Sequence, residues 1–237
     1  MTLDSTPILI AADIDALAPA LRACNVVVPE RAEGRTKDHV ERYSITRLLG
    51  TLSWAPEDFP LRLVKRERPD FALECNGRTN GIEHVETLTP NAGNEAFLRS
   101  KGHGPEAYYP RPMVLGETRK SGRQLIEEIE ADEMGAGWCG DSVERSWVEA
   151  MLHFIRAKIE VARKDGFQLF GQNWLLMYDN WHAPALNREL AVVRLREALE
   201  LDPPWSTFER VFILDELVLV ELERGSARLF LMRDPAT

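Results

Sequence analysis

The sequence predicts an α/β fold, a mixed central sheet flanked by helices, and three observations carry that prediction. Apolar residues recur at helical spacing over 36–53 and again over 143–164, the pattern of helices that bury one face. Short apolar runs bounded by Gly, Pro, Asn and Asp read as strands. The strands come first as turn-linked neighbours and later as units separated by helices, which implies both antiparallel and parallel pairing in one sheet.

The elements follow in order. Residues 1–35 carry apolar runs, Ile8 to Ala12 and Val26 to Val28, broken by Pro7, Pro19 and Pro29. They read as an N-terminal extension without an assigned element. Over 36–53, Val40, Tyr43, Ile45, Leu48, Leu49 and Leu52 build one helical face, with Asp38 near the start and Pro56 and Pro60 beyond the end. Leu61, Leu63 and Val64 mark a first strand, and Pro69 to Cys75 a second. Asn76 to Gly81 is dense in turn residues and leads into a third strand, Ile82 to Leu88, so the pair reads as a hairpin with a longer loop. Residues 90–122, rich in Gly and Pro, read as a long loop insertion of the kind that forms lids or mobile segments. A helix is expected over 123–134. The strongest helix spans 143–164, with Trp147, Met151, Phe154, Ile155, Ile159 and Ala162 on its apolar face, Ser142 as cap and Gly166 past its end. Asn173 to Tyr178 is a continuous apolar run, as a strand buried on both faces requires. A helix over 187–199, a strand over 210–214 and a terminal hairpin, 217–222 and 227–232, complete the chain.

At 237 residues and 44% hydrophobic, the chain can bury a core as a single domain over 1–237. No stretch approaches the ~20 apolar residues of a membrane helix, and the start lacks a secretory leader pattern. Three scattered cysteines, Cys24, Cys75 and Cys139, fit neither a disulfide framework nor a zinc site, so a reducing cytoplasmic setting is expected. The net charge of −9 argues against a nucleic-acid coat but not against an enzyme whose own site is acidic. Charge is also segregated locally: Arg119, Lys120 and Arg123 close a basic stretch that runs from Arg99, and Glu127, Glu128, Glu130, Asp132 and Glu133 follow it. Solvated surface is the plainest account of both runs.

Two carboxylates stand out. Asp70 begins a strand directly after a proline, and Glu83 lies near the start of the strand expected to pair with it. Alternation sends Glu83 and Val85 to one face, and Ile82, His84 and Glu86 to the other. Paired carboxylates with a main-chain carbonyl and waters suit Mg²⁺ or Mn²⁺, an ion able to activate water against a phosphodiester. The segments Arg68-Pro-Asp-Phe71 and Gly81-Ile-Glu-His-Val-Glu86 resemble the signature of the PD-(D/E)xK, or restriction endonuclease-like, nuclease superfamily. The order of elements over 36–178 is similar to that superfamily's core, helix, three strands, helix, strand, here followed by a C-terminal hairpin.

The resemblance implies that Asp70 and Glu83 bind the metal together with the main-chain carbonyl of His84. It implies Glu41 as a supporting acid from the first helix, and a lysine two residues after Glu83. That place is held by Val85, which cannot orient water. Lys158 on the long helix is the candidate substitute, with Arg156 on the same helix and Lys120 in the preceding loop as alternatives. Arg119, Lys120 and Arg123 are the candidate nucleic-acid contacts. The function implied is Mg²⁺-dependent phosphodiester hydrolysis; the alternative is a catalytically silent nuclease fold that binds a protein or nucleic-acid partner. A less favoured reading, an unrelated small-molecule enzyme, would place its site at Asp179–His182, where turn formation is the simpler role.

Overall fold

Asn76 and Gly77 set the geometry of the central hairpin. Both take positive φ, 45° and 78°, the two-residue turn that Asn-Gly favours because its twist matches that of the strands. Cys75 therefore pairs directly with Arg78. The expected longer loop over 76–81 is corrected: the tight turn lets the ladder continue through Arg78–Gly81. The computed structural model describes residues 6–24, 26–133, 135 and 137–232. In chain order the strands are β1 (Pro7–Ala11), β2 (Leu61–Lys65), β3 (Phe71–Cys75), β4 (Arg78–Glu86), β5 (Gln172–Tyr178), β6 (Arg210–Leu214), β7 (Val218–Glu223) and β8 (Ser226–Leu231). The helices are α1 (Ile14–Ala23), α2 (Lys37–Thr51), α3 (Pro90–Ser100), α4 (Gly122–Ala131), α5 (Ser142–Ala162) and α6 (Arg188–Leu201).

All eight strands form one sheet in sequential order. Pairing is antiparallel from β1 to β4, parallel for β4–β5 and β5–β6, and antiparallel again through β7 and β8. Parallel pairing occurs only where a helix makes the crossover, as chain geometry demands. Two cores result. Ile45, Leu48 and Leu49 of α2 pack on Leu61, Leu63, Phe71, Leu73 and Ile82. On the other face Trp147, Met151, Ile155 and Ile159 of α5 pack with α6 on Leu175, Met177, Val211 and Ile213. The apolar run of β5 alternates between them, Trp174 and Leu176 to the α2 side, Leu175 and Met177 to the α5 side.

Two further expectations change. The N-terminal stretch is part of the sheet: β1 pairs with β2 and forms its edge, and Asp13 caps α1 by accepting the Ala16 N–H at 2.9 Å. The 90–122 segment is not all loop, because Thr89 and Pro90 start α3, the Thr89 hydroxyl accepting from Ala92 N–H at 3.3 Å. Only 101–121 is irregular. The helix expected over 123–134 is α4; Met134 lies outside the described residues. Thr36, rather than Asp38, caps α2. Among the described residues no helix is long and apolar enough to cross a membrane.

Candidate functional site

The hairpin register brings the two carboxylates to one end. Phe71 pairs with Ile82, so the next step outward sets Asp70 opposite Glu83, and residues directly opposite in an antiparallel pair share a face. Asp70 Oδ2 accepts the main-chain N–H of His84 at 2.8 Å, which ties its carboxylate across the hairpin. Both acids are buried, 4% and 5% exposed, so neither is an ordinary surface charge.

Each acid is met by a lysine from a helix. Lys158 Nζ donates to Glu83 Oε1 at 2.6 Å. It extends from α5, which packs on the sheet face that also receives Val85. Val85 thus occupies the place of the expected strand lysine, while an amine reaches the same acid from the helix beside it. Arg156 instead pairs with Asp202 at 2.6 Å, and Lys120 with Glu128 at 2.8 Å. Lys37, in the first turn of α2, lies 2.9 Å from Asp70 Oδ1 and 2.8 Å from Glu41 Oε1. Glu41 is itself buried and also pairs with Lys65 of β2. Asp70, Glu83, Glu41 and Lys158 therefore meet in one cluster, joined by Lys37 and Lys65. Arg119, Lys120 and Arg123 do not contact it; Arg119 is exposed and Arg123 pairs with Glu127 at 2.9 Å.

Environment pushes the two acids in opposite directions. Burial raises the Asp70 pKa, but the Lys37 hydrogen bond, the His84 N–H and the Lys37 and Lys158 charges outweigh it and leave a net depression. Burial dominates at Glu83; Lys158 draws its pKa down, the Asp70 charge adds to the rise, and the net shift is upward. Burial works against the Lys37 ammonium, yet Glu41 and Asp70 raise its pKa above the usual lysine value. Paired acids driven apart in this way are a common device for assigning different protonation states to neighbouring groups.

His84 turns its ring to α2. Its Nε2 lies 3.1 Å from Ser44 Oγ, and that hydroxyl already donates to Val40 O at 2.8 Å. Ser44 Oγ must therefore accept, so Nε2 carries the proton and Nδ1 is a bare acceptor. Burial pushes the ring pKa down to about 3, so the imidazole is neutral. The ring thus faces away from the acid pair, and only the main-chain carbonyl of His84 remains as the ligand expected of this residue.

The donor set fits a small hard cation. Glu83 Oε2 is buried without a hydrogen-bond partner among the described residues, a cost that an oxygen-seeking ion would remove. Among the described residues no group of three or more His, Cys, Asp or Glu side chains is placed to hold a metal. The protein thus offers two carboxylates and not a full cage, which suits Mg²⁺, an ion that keeps several waters. Beside the acids lies a cavity of about 270 Å³ walled by Arg31, Arg35, Lys37, His84, Glu86 and Lys158. A larger cavity, about 720 Å³, opens at the other end of β4 and β5 between Trp54, Arg78 and Phe170, and Asp58 is the one carboxylate in its wall.

Several residues of the cluster escaped the sequence reading. Lys37 carried a detectable signal, its i,i+4 pairing with the expected Glu41 at a capped helix start. Lys65, Arg31 and Arg35 carried none, since only the tertiary fold brings Lys65 to Glu41 and the two arginines to Glu86. Glu86, expected on the face opposite Glu83, accepts on one oxygen from Arg31 at 2.9 Å, Arg35 at 2.8 Å and Asn180 at 2.5 Å. Asp179 is saturated: Oδ2 accepts from Trp147 Nε1 at 2.7 Å and Arg188 at 3.0 Å, and Oδ1 from Trp181 N–H at 3.2 Å and the Thr87 hydroxyl at 3.3 Å. It braces the end of β5 and leaves no free oxygen for a substrate. Compared with protein-family models, with curated proteins and with solved structures, the chain matches none.

Proposed function

We propose that this protein is a divergent restriction endonuclease-like hydrolase that cleaves phosphodiester bonds in nucleic acid with Mg²⁺ or Mn²⁺. The observation that carries the reading is the contact of Lys158 with Glu83 opposite Asp70. It supplies an amine to the acid pair from a helix where the strand has Val85. The order α2, β2, β3, β4, α5, β5 supports the same reading. Asp70, Glu83 and the His84 carbonyl would hold the ion, which supplies an acidified water and neutralises charge on the phosphoryl oxygens. Lys158, already a donor to Glu83, orients water by donating a hydrogen bond. Glu41 acts through Lys37, fixing the amine that holds Asp70. The exposed Arg119 and its neighbours Lys120 and Arg123 offer further phosphate contacts from the α3–α4 side. The test is cleavage of linear and circular DNA, single-stranded DNA and RNA with either metal, comparing wild type with Asp70→Ala. Loss of cleavage in Asp70→Ala is expected. Equal activity in the two proteins, or none on any substrate, overturns the proposal.

A second reading is a catalytically silent relative that binds a protein or nucleic-acid partner. It draws on one observation: each carboxylate of the cluster already has a lysine partner, so charge is balanced without metal. Calorimetric titration with Mn²⁺ separates the two. A working site binds the ion and loses it in Glu83→Ala, whereas a silent relative gives no heat in either protein.

A further inference from the structure

We propose that the cavity beside the acid pair seats a terminal phosphate of a nucleic-acid strand, so that the protein engages strand ends. The proposal rests on the phosphodiester reading and names which part of the substrate the pocket takes.

Charge counting is the first reason. Lys37, Lys65 and Lys158 are matched by Asp70, Glu41 and Glu83. At the inner end of the cavity two guanidiniums, Arg31 and Arg35, share the single carboxylate Glu86. One positive charge there is left over, in a region where Arg31 and Arg35 keep only 24% and 17% of their side-chain surface. Burial, against the pull of Glu86 and with repulsion from Arg35, lowers the Arg31 pKa. A second anion would relieve that repulsion. An internal phosphodiester carries −1 and a phosphomonoester about −1.5 to −2 at neutral pH, so either phosphate answers this excess, and it is the size of the cavity that selects a strand end.

Unused donors are the second reason. Arg31 and Arg35 each reach Glu86 through one Nη2 atom, and a guanidinium has five N–H groups in a planar fork. The buried Nε of Arg35 has no partner among the described residues. Forks with free donors are the groups that bind phosphate oxygens two at a time. Lys37, 69% exposed at its side chain, stands at the mouth and can add a third cation.

Shape is the third. The floor is the end of β4, His84 to Glu86, and the walls are the segment 31–40 and Lys158 of α5. About 270 Å³ lies just below the usual range of small-ligand sites, roughly 300 Å³ and upward, room for the terminal phosphate of one strand and too little for a duplex. Glu86 is three residues beyond Glu83, or about 10 Å along the strand. The bond brought to the acid pair is therefore within one or two nucleotides of the seated end.

The test uses short single-stranded oligonucleotides of one sequence bearing a 5′-phosphate, a 3′-phosphate or hydroxyls at both ends. Binding is read by fluorescence anisotropy in EDTA, so no cleavage enters the measurement. One phosphorylated form should bind about tenfold tighter than the hydroxyl form, the scale of a charge-assisted pair. Arg35→Gln should reduce that preference to about twofold or less while unfolding at the wild-type urea concentration. Arg31→Gln serves the same purpose if Arg35→Gln does not fold. Equal affinity for all three oligonucleotides in the wild type, or an undiminished preference in the folded variant, overturns the proposal. If end preference survives but no substrate is cleaved with metal, the hydrolytic reading fails and the phosphate seat stands.

Discussion

Replacing Lys158 by Met removes the one side-chain donor to Glu83 among the described residues and keeps most of the side chain's length. Glu83 is 5% exposed, its Oε1 is met by Lys158, and its Oε2 has no partner among the described residues. Breaking a buried pair from one side generally costs about 3–5 kcal/mol. Lys158 keeps 17% of its side-chain surface, so we expect the low end, about 3 kcal/mol at about pH 7.5. For a chain of this size that corresponds to a fall in Tm of roughly 6–12 °C. Protonating Glu83 relieves the penalty, so loss of the Lys158 charge should push the Glu83 pKa further up. The sign follows from direction. The folded pKa of Glu83 is raised, so the folded state holds a proton that the unfolded chain releases. The deficit is complete above the folded pKa and shrinks as pH falls through it toward the ordinary carboxylate value. Urea unfolding at about pH 7.5 and about pH 5 should therefore show a large difference from wild type at the higher pH and a smaller one at the lower. Adding Glu83→Gln should recover most of the loss. Lys158→Met alone should retain Mn²⁺ binding and lose cleavage. A Lys158→Met protein within about 0.5 kcal/mol of wild type at both pH values refutes the buried pair. Cleavage at the wild-type rate, with loss instead in Lys120→Met, moves the amine to the loop.

Other outcomes follow from single contacts. His84 is neutral when folded, with its pKa pushed down to about 3, while the unfolded chain takes up a proton below about 6.5. Stability should thus fall as pH drops below that value, by about 1.4 kcal/mol at about pH 5.5, and His84→Asn should flatten this slope in urea titrations. Gly77→Ala meets nothing within 4 Å, yet its φ of 78° is costly for any side chain, so a loss of about 1–2 kcal/mol by thermal unfolding is expected without loss of metal binding. Gly81→Ala would put a Cβ 2.8 Å from Phe170, 2.9 Å from Asn173 and 3.0 Å from Pro69. Overpacking next to the residue before Asp70 should cost about 1–3 kcal/mol and weaken Mn²⁺ binding in calorimetry, whereas unchanged binding would show that Pro69 moves independently of the acid.

Much of this protein was legible in its sequence because local physics decided it. The stripes of α2 and α5, the doubly buried run of β5 and the alternation around Glu83 follow from periods of 3.6 and 2, which depend on the chain alone. Asp70 and Glu83 could be paired in advance because both belong to one hairpin. The Asn76-Gly77 signal was present too, but its neighbours Arg78 to Gly81 resemble turn residues, and only the cross-strand ladder makes them strand. The tertiary structure decided what lies far apart in the chain. Residues 7–11 became a strand because β2 offered an unpaired edge, which no local pattern announces. Lys158 was one of several candidate amines until the packing of α5 on the β5 side of the sheet brought it to Glu83. Arg31, Arg35 and Lys65 joined the cluster for the same reason. Electrostatic convergence depends on distance in space, and a sequence records only distance along the chain.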